Sequence, residues 1–283
     1  MSVYMFPGQG SQKKGMGGEL FVRFPEEVAT ANTILGYSIE KLCLSDPDAN
    51  LNNTRYTQPA LFAVNALHYL AIRETASAPA YVIGHSLGEY NALHAAGVID
   101  FAVGVELTML RGHIMSEARE GGMAAVLGVC ADDIRTALMA GGLNDVHIAN
   151  LNAPTQTVIS AAETNLTQAE NLLSRVLGAV CVRLNVSGPF HSPLMQDARV
   201  EFDRRLATIE FREPVIPVIS NVNAKPYARE RMQGLLGRQL TEPVRWIDAI
   251  RYLMGEGERD FIEVGPGQVL TQLVKRIVHA YSA

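Results

Sequence analysis

The segment GHSLG at 84–88 fits the pattern G-x-S-x-G, which can present a serine side chain as a nucleophile. An apolar stretch at 80–83 predicts a strand that enters the segment, and apolar residues at helical spacing predict a helix that leaves it. A sharp strand-to-helix turn exposes the Oγ of Ser86, and the first turn of the helix has free N–H groups beside it. The N–H of Leu87 is therefore the candidate donor to an oxyanion formed at an attacked carbonyl.

A serine nucleophile needs a base, and the chain contains seven histidines. His85 is adjacent to Ser86, but successive side chains at such a turn diverge, so we expect His85 to pack in the interior. His191 follows residues 187–190 in a loop after a predicted strand, where catalytic groups of α/β folds gather. His191 is therefore the favoured base, and three others in helical patterns are expected to pack or to be half-buried: His68, His94 and His113.

Composition argues against several other classes of protein. The net charge is −5 and no basic block occurs, which disfavours a nucleic-acid binder. The three cysteines show no C-x-x-C spacing, so neither a zinc site nor a disulfide framework is indicated. No apolar stretch approaches the roughly 20 residues of a membrane span, and the first residues lack a signal-peptide pattern. We therefore expect a cytoplasmic protein with no metal, membrane or nucleic-acid partner.

Alternation of short apolar runs with helical patterns predicts an α/β fold. We expect residues 1–122 and 188–283 to form an α/β-hydrolase-like catalytic domain with a parallel sheet. The order strand, helix, strand, strand, helix, strand over 123–187 is the ferredoxin-like pattern and predicts an inserted small subdomain. The predicted strands are 3–6, 80–83, 123–129, 146–151, 157–160, 179–186, 215–220 and 260–264. The predicted helices are 57–77, one after 86, 101–118, 131–140, 165–177, 193–208, 229–240 and one after 267.

Six segments in one order along nearly the whole chain carry a family resemblance. They are FPGQGSQ (6–12), TQPAL (57–61), GHSLGEY (84–90), RGHIM (111–115), FHSPLM (190–195) and EVGPGQVL (263–270). Together they closely resemble malonyl-CoA:acyl carrier protein transacylases and the acyltransferases of polyketide synthases. The stretches GYSIEKLCLSDPD (36–48) and TRYTQPALFAVNAL (54–67) are similar to discrete, trans-acting polyketide acyltransferases.

The resemblance implies a division of labour among these residues. Ser86 would carry the acyl group as an ester, and His191 would move the proton in each half of the reaction. The backbone N–H groups of Gln9 and Leu87 would form the oxyanion hole. In this family a main-chain carbonyl orients the histidine, and Gln239 matches that position, so we predict a Ser-His dyad with no acidic third member.

The family also assigns the acyl-group contacts. Arg111 would bind the terminal carboxylate of a malonyl group through two parallel hydrogen bonds, although a lone arginine in a helix is more often a surface residue. Met115, one turn further along the same helix, would line the acyl pocket. Phe190 resembles the bulky residue of malonyl-selective enzymes, while simple packing also accounts for it. The preceding dipeptide at 188–189 departs from the usual pattern, which leaves substituted malonyl units open.

The implied partner is an acyl carrier protein of polyketide or fatty acid biosynthesis, with malonyl-CoA as substrate and no cofactor. Carrier proteins are typically acidic, so Lys13 and Lys14, just after the first motif, are candidate docking residues.

Two other functions stay open on the sequence. An editing acyl hydrolase or thioesterase could use the same dyad with water as the acceptor, although such an enzyme has no need of a fixed carboxylate contact such as Arg111. A non-catalytic docking module is the other alternative. It predicts loss of the nucleophile, the base or the arginine, yet the chain has all three.

Overall fold

Eight strands form two separate sheets in the computed structural model, which describes residues 2–118 and 120–281. In chain order they are β1 (Ser2–Phe6), β2 (Tyr81–Gly84), β3 (Gly122–Leu127), β4 (His147–Ala153), β5 (Gln156–Ala161), β6 (Val180–Arg183), β7 (Val218–Ile219) and β8 (Asp260–Glu263). One sheet has the order β7-β2-β1-β8, and all of its pairs are parallel. The other has the order β4-β5-β3-β6, and its pairs are antiparallel. The α/β class with a parallel sheet is as predicted.

The helices of the described residues are α1 (Leu20–Arg23), α2 (Pro25–Leu35), α3 (Ile39–Leu44), α4 (Thr54–Arg73), α5 (Gly88–Ala95), α6 (Phe101–Glu117), α7 (Ala131–Ala140), α8 (Glu163–Leu177), α9 (Gln196–Leu206), α10 (Met232–Arg238), α11 (Trp246–Gly255) and α12 (Val269–Tyr281). None among residues 2–118 and 120–281 has the length and apolar character of a membrane-crossing helix.

Strand β1 shows why the parallel sheet is covered on both faces. Its residues from Val3 to Phe6 are buried, and successive side chains point to opposite faces of a sheet. Val3 and Met5 pack into one apolar cluster with α11 and α12, while Tyr4 and Phe6 join a second cluster with α4, α5 and α6. A continuous apolar strand is typical of a sheet buried between two helical layers.

The antiparallel sheet uses its two faces differently. Ala124 and Val126 of β3 pack with α7 and α8 in a third cluster. The alternate residues Met123 and Ala125 pack with the main core on the opposite face. Backbone hydrogen bonds join the two parts of the chain, since Val244 donates to Ala149 and accepts from Leu151, each at 2.9 Å. The antiparallel sheet therefore packs on the main core, and hydrogen bonds between β4 and Val244, just before α11, hold it there.

Several predicted elements differ from the structure in length. The strands predicted at 179–186 and 215–220 are shorter, at Val180–Arg183 and Val218–Ile219. The helix predicted at 193–208 begins with a 3₁₀ turn at Pro193–Met195. The helix predicted at 229–240 likewise begins with a 3₁₀ turn at Arg229–Arg231 and ends at Arg238. The helices α1, α2, α3 and α11 were not predicted.

Candidate active site

The turn between β2 and α5 holds Ser86 in a left-handed backbone conformation, with φ of 52°. This conformation is uncommon for a residue with a side chain and is characteristic of a strained strand-to-helix turn. The chain passes so close to itself here that only glycine fits on either side. A Cβ on Gly84 would lie 1.8 Å from the backbone carbon of Gly88, and a Cβ on Gly88 would lie 2.0 Å from the oxygen of Phe6.

Two hydrogen bonds connect Ser86, His191 and Gln239. The Oγ of Ser86 is 2.8 Å from His191 Nε2, and His191 Nδ1 is 2.7 Å from the backbone oxygen of Gln239. Because a carbonyl oxygen can only accept, Nδ1 carries the proton and Nε2 is free to accept one from the serine. No acidic side chain is needed to orient this ring.

Electrostatics keep His191 in its neutral form. Burial lowers the pKa of His191 to about 3, and the positive charge of Arg111 adds to this effect, while the hydrogen bond to the Gln239 carbonyl opposes it. Near neutral pH the ring is therefore an uncharged acceptor, which is the state that a general base requires.

Arg111 extends from α6 to the side chain of Ser86. It is almost completely buried, with 1% of its surface exposed. One terminal nitrogen, Nη1, donates to Gln58 Oε1 at 2.8 Å. The other, Nη2, donates to Gln239 Oε1 at 2.9 Å and to the Oγ of Ser86 at 3.1 Å. Within the described ranges Arg111 forms no ion pair with a carboxylate. A buried cation with only neutral acceptors suits an anionic ligand.

Gln9 and Leu87, the two residues expected to supply oxyanion donors, line the cavity from different elements. Leu87 precedes the first turn of α5, and Gln9 lies in the loop after β1; both line the cavity beside Ser86. Neither N–H has an acceptor among the residues that the structure describes. The side chain of Gln9 is fixed by a 3.1 Å hydrogen bond from Nε2 to Thr54 Oγ1. Such donors can stabilise an oxyanion.

A cavity of about 230 Å³ opens in front of Ser86. Met115 and Phe190 line it from the main part of the chain, and Met123, Ala125 and Val158 line it from the antiparallel sheet. The volume is below the roughly 300–1,000 Å³ of sites for drug-sized ligands, which suits a short acyl group.

His85 is half-buried and lines the cavity, and it makes a contact that the sequence did not reveal. Its Nε2 lies 2.7 Å from Oδ1 of Asn152 on β4, and its ring centroid is 5.4 Å from that of Trp246. The residue next to the nucleophile therefore contacts the antiparallel sheet.

The remaining histidines and the two lysines lie apart from this centre. Five histidines do not line the cavity: His68, His94, His113, His147 and His279. Lys13 and Lys14 are exposed in the loop that follows the cavity-lining residue Ser11.

Sequence reasoning missed several polar residues beside the nucleophile. Asn221 accepts from the Ser86 N–H at 2.7 Å and donates to the oxygen of Gly84 at 2.7 Å. Its segment, SNVNAKPY at 220–227, shows no recognisable pattern. Gln58 and Glu89, by contrast, lie inside the TQPAL and GHSLGEY segments. The motifs therefore pointed to these two residues, although the sequence analysis gave them no role.

Comparison with known proteins gives the class that this fold and site belong to. The model of the acyl transferase domain family matches residues 3–282, and the chain belongs to that family.

Individual relatives align with nearly the whole length of this chain. The chain is 51% identical to the polyketide biosynthesis malonyl CoA-acyl carrier protein transacylase PksC of Bacillus subtilis, over 98% of this chain and 97% of that protein. It is 48% identical to the polyketide biosynthesis protein ThaF of Burkholderia thailandensis, again over 98% of this chain, but it spans only 24% of ThaF. The crystal structure of a malonyl CoA-acyl carrier protein transacylase from Burkholderia pseudomallei superposes with a TM-score of 0.96 at 46% identity, covering 100% of this chain and 99% of that one.

Proposed function

We propose that the protein transfers a malonyl group from malonyl-CoA to the phosphopantetheine thiol of an acyl carrier protein, in polyketide or fatty acid biosynthesis. One observation carries the proposal: the Oγ of Ser86 lies 2.8 Å from a neutral histidine base and 3.1 Å from the buried guanidinium of Arg111. A nucleophile beside a cation that forms no ion pair with the described residues suits an acyl group that ends in a carboxylate. Family membership and the names of the relatives support the same activity.

In the first half-reaction, Ser86 Oγ attacks the thioester carbonyl of malonyl-CoA while His191 Nε2 takes the serine proton. The resulting oxyanion accepts hydrogen bonds from the N–H groups of Gln9 and Leu87. The carbon–sulfur bond then breaks, and the departing CoA thiolate receives the proton from His191. The product is a malonyl ester on Ser86.

In the second half-reaction, the carrier thiol gives its proton to His191 and attacks the ester carbonyl. The bond to Ser86 Oγ breaks, the serine regains its proton, and the acylated carrier leaves. The Gln239 carbonyl accepts from Nδ1–H of His191 in both half-reactions, so it is Nε2 that takes up and releases the proton. No cofactor takes part in this scheme, and malonyl-CoA enters as a substrate.

Specificity in this proposal comes from two parts of the cavity. The guanidinium of Arg111 turns from Ser86 Oγ to the malonyl carboxylate and binds it through two hydrogen bonds. Met115 and Phe190 limit the room beside the acyl carbon, which favours malonyl over substituted malonyl units. The exposed Lys13 and Lys14 meet the acidic carrier near the cavity mouth.

We also propose that the chain is divided into a catalytic domain and a smaller subdomain. Residues 1–122 and 188–283 form an α/β-hydrolase-like catalytic domain, and residues 123–187 form a ferredoxin-like subdomain. The strand order β4-β5-β3-β6 with two helices on one face supports the second assignment. We also propose that the protein is cytoplasmic.

Intact-mass measurement after exposure to malonyl-CoA or acetyl-CoA tests the proposal directly. We expect one malonyl adduct on the wild-type protein and none on Ser86→Ala. Arg111→Ala removes a charge-assisted contact worth about 1.5–3 kcal/mol, so malonyl loading should fall about 10- to 100-fold while acetyl loading is spared. Arg175→Ala, an exposed arginine on α8, is the matched control and should load as wild type. A malonyl adduct on Ser86→Ala, or unchanged selectivity of Arg111→Ala, contradicts the proposal.

A further inference from the structure

Glu89 places a buried carboxylate directly behind the nucleophile, in the first turn of α5, and no part of its side chain is exposed. Its Oε1 accepts from the backbone N–H of Asn221 and from the hydroxyl of Tyr227, each at 2.8 Å. Its Oε2 accepts from Nε2 of Gln239. Burial raises the pKa of Glu89 to about 7, whereas these three hydrogen bonds and the charge of Arg111 favour the ionised form.

The side-chain amide of Gln239 has only one orientation that satisfies its surroundings. Both hydrogens of Nε2 are used, one toward the backbone oxygen of Ser86 at 2.9 Å and one toward Glu89. The amide oxygen therefore faces Arg111 and accepts from Nη2 at 2.9 Å. Reversing the amide would bring its N–H groups against the guanidinium and its oxygen against two acceptors.

Both oxygens of Glu89 accept hydrogen bonds in this arrangement, so Oε2 needs a donor and selects the orientation in which Gln239 presents Nε2 to it. We propose that Glu89 is a positioning residue that fixes the side-chain amide of Gln239 and, through it, the guanidinium of Arg111, so that Glu89 helps to select acyl groups bearing a carboxylate. The inference rests on the proposed function, because it assigns Arg111 to the acyl carboxylate.

The two oxygens of Glu89 serve different neighbours, which makes the proposal separable from a general structural role. Oε1 contacts Asn221, whose side chain holds the N–H of Ser86, and Tyr227. Oε2 contacts Gln239 and leads to Arg111. Loss of contacts at Oε1 affects the turn that carries the nucleophile, whereas loss at Oε2 affects the recognition of the carboxylate.

The test compares kcat/KM for loading from malonyl-CoA and from acetyl-CoA. Glu89→Gln keeps the shape of the side chain and an oxygen for Asn221 and Tyr227, but it turns an N–H group toward Nε2 of Gln239. We expect the malonyl-to-acetyl ratio of kcat/KM to fall at least about tenfold, with a raised KM for malonyl-CoA. Tyr227→Phe is the matched control, because it removes one donor at Oε1 and leaves the Gln239 contact; its ratio should stay at the wild-type value.

Gln239→Met provides a second route if Glu89→Gln does not fold. It keeps the backbone carbonyl that holds His191 and removes only the amide, so the same loss of the malonyl-to-acetyl ratio is expected. In the double variant with Glu89→Gln the ratio should fall no further than in Gln239→Met alone, since both changes act through one contact.

An unchanged ratio in Glu89→Gln, or an equal loss for the two substrates, overturns the inference. An unchanged ratio in Gln239→Met does the same. These outcomes leave the proposed function intact, because wild-type protein still loads malonyl on Ser86. A wild-type protein that takes no malonyl group from malonyl-CoA overturns the proposed function instead.

Discussion

Arg111 is a buried guanidinium whose hydrogen-bond partners in the described chain are all uncharged. Burying a cation with no carboxylate in direct contact costs several kcal/mol, and burial lowers the pKa of Arg111, while Tyr90 and the nearby carboxyl of Glu89 oppose this effect. The guanidinium has lost its hydrogen bonds to water, and part of them is replaced by uncharged acceptors on Gln58, Gln239 and Ser86. We propose that a substrate carboxylate supplies this direct contact, so that part of the cost of burying Arg111 becomes binding energy for the correct acyl group.

The lowered pKa of His191 predicts the pH dependence of acylation. A histidine with the ordinary pKa near 6.5 loses about 30-fold of its neutral form between pH 8 and pH 5. The pKa of His191 is lowered to about 3, so its ring stays neutral over that whole range. We therefore expect the single-turnover rate of acylation by acetyl-CoA to show no limb near pH 6.5. Acetyl-CoA is the substrate of choice because it lacks the carboxylate that we propose Arg111 and Glu89 help to select.

Circular dichroism at each pH serves as the control that the protein remains folded. A fall in rate that follows a single proton uptake near pH 6.5, in folded samples of both the wild-type protein and Glu89→Gln, which has no carboxyl group to titrate there, would show that His191 is not held neutral by its surroundings.

At the scale of elements, the turn between β2 and α5 depends on close backbone approach. The Cβ of Gly88→Ala would lie 2.0 Å from the oxygen of Phe6 in β1, and a backbone neighbour cannot move aside as a side chain can. We expect Gly88→Ala to lower the free energy of unfolding, measured by urea denaturation, by about 1–3 kcal/mol.

Gly234→Ala is the matched control for this substitution. Gly234 lies within α10, and a Cβ there meets no atom within 4 Å. An alanine in a helix is favoured over glycine, so this variant should gain about 0.5–1 kcal/mol. Wild-type stability of Gly88→Ala would mean that the turn is looser than the structure has it.

The elements that position the nucleophile could be predicted because local patterns define them. The strand before Ser86 and the helix after it follow from apolar spacing and from the flanking glycines. Helix α11 was missed although Trp246, Ala249, Ile250 and Leu253 recur on one face and are all buried. Helix α2 gave a weaker signal, since only Val28 and Ala31 are buried. Strand β7 is two residues long because only Val218 and Ile219 pair with β2.

The candidate site shows the limit of sequence reasoning more sharply. Ser86, His191 and Arg111 were found through motifs, and the structure brings them within hydrogen-bond reach. Asn221 and Glu89 were not assigned, because their importance comes from long-range contacts across more than 130 positions of chain. No local pattern encodes a contact of that kind.

At the scale of the whole molecule, the cavity is shared between the two sheets. The face of the antiparallel sheet that bears Met123 and Ala125 lies over the nucleophile, while its other face is buried by α7 and α8. The contact of His85 with Asn152 ties this sheet to the turn that carries Ser86. This sheet lines the cavity with Met123, Ala125 and Val158 as well as with the polar residues Asn150, Asn152 and Gln156. We propose that its apolar part limits the access of water to an ester on Ser86, which favours transfer to a thiol over hydrolysis.

Discharge of the malonylated protein tests most directly whether the acceptor is the carrier thiol or water. The protein is loaded with malonyl-CoA and freed of excess substrate, and intact mass is followed with holo-carrier protein, with apo-carrier protein and in buffer alone. We expect holo-carrier to remove the adduct from Ser86 and to gain its mass, at a rate at least about 100-fold above buffer, a barrier difference of about 2.7 kcal/mol. Apo-carrier, which lacks the thiol, should match buffer. Equal discharge rates in holo-carrier and buffer would show that water is the acceptor and that the protein is a hydrolase.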